Sequence, residues 1–84
     1  MAKKRAIIGL GSILARNIRI YRAVLDLSQE QLAERCGLKR TYVGSIERGE
    51  IDVRLSTLGK IAKGLGIDAG ILLASAEDQL RAAH

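Results

Sequence analysis

Apolar residues recur along the chain at intervals of three and four and never alternate over any length, which predicts helices and no sheet. A first helix is expected over residues 12–25, because Ile13 or Leu14, Ile18, Tyr21 and Leu25 fall on one face while Arg16, Arg19 and Arg22 fall on others. Ser28 and Gln31 have the spacing of a capping box, in which each side chain closes a backbone N–H of the other residue, so a second helix starts there and runs through Leu32 and Ala33 to Arg35. Gly37 ends it. The next helical pattern, residues 39–47, follows too closely for a loop, so Cys36, Gly37 and Leu38 form a tight turn and two short helices meet at a sharp angle.

Residues 50–54 read as a loop, followed by a fourth helix over residues 55–65 with Leu55, Leu58, Ile61, Ala62 and Leu65 facing inward. A fifth helix follows Asp68, its expected N-cap, and carries Ile71, Leu72 and Leu73. Ser75 and Asp78 are spaced like a further cap, and residues 76–84 form a tail or an extension of that helix. Lys3, Lys4 and Arg5 precede a short apolar run broken by Gly9 and Gly11, too short to span a membrane and followed by no cleavage signal. The expected organisation is therefore a basic arm over residues 1–11, a helical domain over 12–75 and a tail over 76–84.

The 84 residues suffice for one domain and not for two, and a fold this small gains stability from covering its surface with a second copy. Hydrophobic residues make up 48% of the chain with no Phe or Trp and only two Tyr, so the core must be aliphatic. Fourteen Lys and Arg against nine Asp and Glu leave a net charge of +5, which suits nucleic acid or an anionic surface and equally serves solubility. The single cysteine, Cys36, allows no intrachain disulfide and no thiolate cluster for zinc, which fits a reducing, cytoplasmic setting, and its expected role is that of a small apolar filler. With one histidine, the terminal His84, no metal-ligand cluster and no phosphate-cradling glycine loop, the chain is not expected to be an enzyme or to hold a cofactor, metal or small-molecule ligand.

The string SQEQLAERCGLKRTYVGSIERGE resembles the helix-turn-helix of the phage-repressor-like, or Xre, family, and the likeness extends over roughly residues 18–73. Gln29 opening the second helix, small Ala33 where two helices touch, Gly37 at the turn, and Val43 with Ile46 as buried anchors carry it together. Within that family RTYVGSIERG resembles the controller proteins of restriction-modification systems. The resemblance implies an all-α, compact five-helix domain of the lambda-repressor-like type and a transcription regulator that binds double-stranded operator DNA as a homodimer. An antitoxin-type interaction module that also binds its own promoter is the other reading.

With Val43 and Ile46 turned inward, Arg40, Thr41, Gly44 and Ser45 are left on the face of the third helix that would enter a major groove. An arginine there can donate two hydrogen bonds to guanine O6 and N7, and a threonine suits thymine. Gly44 and Ser45 have little reach and serve to let the helix approach. Gln29, at a helix N-terminus that already favours anions, is expected to contact phosphate, with Lys39, Tyr42, Arg48 and Arg54. The resemblance also implies a partly buried salt bridge between Arg22 and Glu47. The chain departs from the controller pattern in carrying Ile51 and Asp52 where an Arg-Asn pair is common, and Arg54 where a Ser or Thr usually caps the fourth helix.

Ile67, Ile71, Leu72 and Leu73 offer more apolar surface than one small core absorbs and are the expected dimer interface. Glu30 and Glu34 lie on the second helix away from the reading face. In phage-repressor-like activators the matching acidic positions touch RNA polymerase, although carboxylates in a first helical turn also complement the helix dipole with no partner at all.

Overall fold

The computed structural model describes residues 9–75, which form five helices: α1 (Leu10–Val24), α2 (Gln29–Cys36), α3 (Arg40–Glu47), α4 (Leu55–Leu65) and α5 (Ala69–Leu72). No strand occurs among the described residues, as the apolar spacing predicts. Lys3, Lys4, Arg5, Asp78 and His84, and with them the basic arm, the second cap and the tail, lie outside the described residues.

α1 starts at Leu10, so the expected boundary between arm and domain at residues 11 and 12 falls inside the helix. Gly9 is extended there (φ −61°, ψ 147°), and its carbonyl accepts from the N–H groups of Ser12 and Ile13, so a glycine read as a breaker serves as the N-cap. At the other end the chain leaves α1 through Asp26, held at φ 58°, a left-handed conformation that Asp tolerates better than most residues. Leu25, expected on the inner face, is the C-cap and is 42% exposed. Of Ile13 and Leu14, Leu14 is the buried one.

The α2 capping box is formed in both directions: Gln31 N–H donates to Ser28 Oγ at 3.0 Å, and Ser28 N–H donates to Gln31 Oε1 at 2.8 Å. Gly37 closes α2 at φ 69°, and Leu38 N–H reaches back to Ala33 O at 2.9 Å. A side chain at residue 37 would be strained in that conformation. Arg54 and Asp68 occupy the N-cap positions of α4 and α5, and neither side chain makes a capping hydrogen bond.

Leu14 and Ile18 from α1, Leu32, Ala33 and Cys36 from α2, Val43 and Ile46 from α3, Leu58, Ile61, Ala62 and Leu65 from α4, and Leu72 from α5 make one continuous core. Each fully buried aliphatic side chain of this kind contributes about 1.5–3 kcal/mol relative to exposure. Leu55, expected inward, is 82% exposed, because it is the first residue of α4 and precedes the stripe formed by Leu58, Ile61 and Leu65. Leu72, expected on the dimer surface, is 0% exposed and belongs to the core. Its side chain joins the apolar core, and Asn17 on α1, itself only 2% exposed, holds the end of α5 there by donating its amide to Leu72 O and Ala74 O, both at 2.9 Å. A single Asn on an otherwise apolar face gave little warning of this role.

α2 packs on α3 and α4, and α1 packs on α3 and α5. The contact of α2 with α4 is close enough that a Cβ on Gly64 would lie 2.5 Å from Cys36 Sγ and 3.5 Å from the Arg35 backbone. Cys36 is buried and burial pushes its thiol pKa up, in keeping with an inert packing role. Alanine is the better helix former by about 1 kcal/mol. Gly64→Ala is nevertheless expected to lower stability by about 1–2 kcal/mol, because the core cannot absorb the added carbon. Urea melts of Gly64→Ala in the natural background and beside Cys36→Ala check this. The loss should shrink when Sγ is absent, and equal losses in both backgrounds would contradict the packing origin.

Candidate nucleic-acid interface

α3 divides cleanly. Val43 and Ile46 are each 2% exposed against the core, while Arg40 and Thr41 are exposed and Tyr42 and Ser45 are half-buried. Lys39, Thr41, Tyr42 and Ser45 line one shallow depression beside the turn at Gly37 and Leu38. Arg40 lies on the other flank, in a cleft it shares with Glu30, Gln31 and Glu34 of α2. Gly44, expected to touch a base, is buried instead, beneath the side chains of Gln29 and Arg48.

One carboxylate fixes this helix to the rest of the domain. Glu47 is 3% exposed at the end of α3. Arg22 Nε donates to Glu47 Oε2 at 2.7 Å, and Arg22 Nη2 donates to Oε1 at 3.1 Å, a two-pronged ion pair. Gln29 Nε2 donates to the same Oε1 at 3.0 Å. Arg22 Nη1 donates to Leu27 O at 2.8 Å, and Arg19 Nη1 donates to the backbone carbonyl of Glu47. A carboxylate at a helix C-terminus opposes the helix dipole, and α3 has no basic residue of its own in its last turn. The two arginines of α1 supply the missing positive charge and brace the α3 C-terminus. Gln29 ties in the start of α2. Neither the Gln29 contact nor the Arg19 contact follows from helical spacing, which points Gln29 toward phosphate and gives Arg19 no role.

Beyond α3, Arg48 folds back onto Glu50, with Nε donating to Oε2 at 2.8 Å and Nη2 to Oε1 at 3.2 Å, while Nη2 also reaches Ser45 Oγ at 3.4 Å. The hydrogen bond between them raises the Arg48 pKa and lowers that of Glu50. Ile51 packs against the core, while Asp52 is exposed and Arg54 is exposed immediately before α4. Of the expected dimer residues, Ile71 is 37% exposed and Ile67 and Leu73 are half-buried. Among the described residues no group of three or more His, Cys, Asp or Glu stands ready for a metal, and no helix is long and apolar enough to cross a membrane.

A family model described as helix-turn-helix, HTH_3, matches residues 18–72. Control protein C.SmaI of Serratia marcescens is 57% identical over 61 residues, which cover 73% of this chain and 73% of that protein. The crystal structure of the hypothetical transcription factor NHTF from Neisseria superposes with a TM-score of 0.85 at 40% identity, covering 88% of this chain and 85% of that one. The restriction-modification controller protein C.Esp1396I, bound to a 25 base pair operator site, superposes with a TM-score of 0.71 at 30% identity, covering 79% of this chain and 87% of that one.

Proposed function

The chain belongs to the helix-turn-helix family HTH_3, and from that premise we propose that it is a sequence-specific, DNA-binding transcription regulator of the restriction-modification controller type. The observation that carries this reading is the exposed face of α3, which is held at its C-terminus by Glu47, Arg22 and Arg19 and at its flank by the start of α2. Such bracing holds a short helix rigid enough to be read against base edges. Arg40, Thr41 and Ser45 are assigned to bases, and Lys39, Tyr42 and Arg54 to phosphate, beside the α2 N-terminus at Gln29. The five helices, from Leu10 to Leu72, make the reading unit. The protein acts in the cytoplasm, by binding and not by catalysis. Incubation with a random duplex pool tests the reading: one sequence class should be enriched over successive rounds. An unenriched pool would contradict it.

The regulator works as a two-fold dimer, which sets two recognition helices about 34–36 Å apart on a pseudo-palindromic site. Ile71, with Ile67 and Leu73 around it, supports α5 as the shared surface. Leu72 is unsuitable as a probe because a charge at a fully buried position would unfold the domain. Ile71→Glu is expected to sediment as a monomer with its helical spectrum intact. A dimer that survives this substitution would place the interface elsewhere.

Glu30 and Glu34 are both exposed; Glu30 complements the α2 dipole from its first turn, and contact of the two carboxylates with RNA polymerase beside the promoter is the alternative reading. On that alternative the double variant Glu30→Gln, Glu34→Gln should bind operator normally and lose stimulation of transcription from a promoter placed just downstream of the site. Unchanged transcription would exclude that contact and leave Glu30 alone as a complement of the α2 dipole, since Glu34 lies toward the other end of the helix.

A further inference from the structure

α5 is a single turn of four residues, too short to be stable by itself, and Leu72 is its one buried residue. One buried side chain attaches such a turn without by itself fixing its rotation. Asp68 at the N-cap adds no side-chain hydrogen bond, so the turn is not steadied from its own beginning. The rotation is fixed from α1. Asn17 Nδ2 donates to Leu72 O and to Ala74 O, both at 2.9 Å, and lies 3.5 Å from Ile71 O, so one amide gathers three carbonyls at the end of α5. Carbonyls only accept, which leaves the amide one orientation, with Oδ1 toward Arg16 Nη1 at 3.4 Å. With Leu72 held inward, Ile71 is the exposed residue beside it. Asn17 is itself buried on α1 and cannot touch a second molecule.

We propose that Asn17 is a positioning residue for self-association: its amide holds α5 at the rotation that presents Ile71 to a second copy of the chain. The proposal rests on α5 being the shared surface. Without the amide, seating α5 would leave the buried Leu72 carbonyl without its donor, so the turn shifts to bring that carbonyl to water. Association must then restore the seated arrangement first, and the apparent dissociation constant rises by the inverse of the seated fraction. For one buried carbonyl stripped of its donor that factor is about tenfold. The reading helix stays in place, because Arg19 and Arg22 brace the end of α3 through Glu47 without Asn17.

Sedimentation over a concentration series gives dimer dissociation constants for the natural protein, Asn17→Leu, Asn17→Ala, Ile71→Glu and Leu32→Val. Asn17→Leu keeps the number and branching of heavy side-chain atoms and removes both donors. Its dissociation constant is expected to rise about tenfold, with the helical spectrum retained. Leu32 lies in the core on α2, which packs on α3 and α4, so Leu32→Val lowers stability and should leave the dissociation constant as it is. That control separates positioning of α5 from general loosening of the domain. An unchanged constant in either Asn17 variant that keeps its helices, or an equal rise in Leu32→Val, would overturn the proposal. Loss of the helical spectrum in both Asn17 variants would overturn it as well, since the residue would then serve the fold and not the dimer. If Ile71→Glu stays dimeric, or the natural protein is monomeric throughout, it is the α5 surface that fails, and the role of Asn17 fails with it.

Discussion

Arg22→Ala is expected to lower folding stability by about 3–5 kcal/mol, and to cost more than Glu47→Ala although both break the same ion pair. The difference lies in what each substitution leaves behind. The Glu47 side chain is 3% exposed and that of Arg22 is 23% exposed, so a stranded carboxylate has far less access to water than a stranded guanidinium. Glu47 also sits at the negative end of α3, where without Arg22 only Gln29 donates to its carboxylate. In Glu47→Ala the guanidinium keeps its bond to Leu27 O and its free edge can rehydrate. Against a total of about 5–15 kcal/mol for a domain, the Arg22 loss is a large share. Urea melts at neutral pH check it through the midpoint, with the slope held constant. Equal shifts for the two variants, or a shift of less than about 1 kcal/mol for Arg22→Ala, would show that solvent screens the pair more than its burial implies.

Arg40→Ala is expected to reduce affinity for the operator by about 1–3 kcal/mol and to relax base preference at one position, because a two-pronged guanine contact is lost. Arg40 is exposed at the start of α3, in a cleft it shares with Glu30 and Glu34 of α2. Lys39→Ala, by contrast, should weaken binding to every duplex alike and lower the salt dependence, as loss of a phosphate contact does. Titrations of both variants against operator and random duplex separate the two effects. Equal losses on both duplexes for Arg40→Ala would confine that residue to the DNA backbone.

The parts of this fold governed by neighbours in sequence could be read directly. The capping box of Ser28 and Gln31, the left-handed Gly37 and the inward stripe of Val43 and Ile46 are local matters of spacing and backbone conformation, and the helices they define match the expected ones closely. The Arg22 and Glu47 pair was implied by resemblance, not by spacing, since the two residues are brought together across α1 and α3. Contacts with no local signature were missed. Asn17 gives no sign in sequence that its amide will meet carbonyls beyond α5, and so Leu72 looked like surplus apolar surface when it is core. Gly64 gives no sign in sequence of its reason, the Cys36 sulfur, which lies on another helix. Helical angle places Gly44 on the same face as Arg40, Thr41 and Ser45, and spacing could not show that Gln29 and Arg48 lie across it. Leu25 and Leu55 erred in the opposite sense: both sit at helix ends, where the periodic face no longer meets a partner.

Methylation interference on the enriched operator tests most directly whether α3 reads the major groove. Methyl groups at guanine N7 lie in that groove and block the atoms an arginine would contact, whereas methyl groups at adenine N3 lie in the minor groove. Binding is expected to be lost when guanine N7 is modified within two short clusters about 10–10.5 base pairs apart, centre to centre, and Arg40→Ala should remove the sensitivity of one guanine in each cluster. Interference confined to adenine N3, with guanine N7 methylation tolerated throughout, would contradict the assignment of α3 as the reading helix.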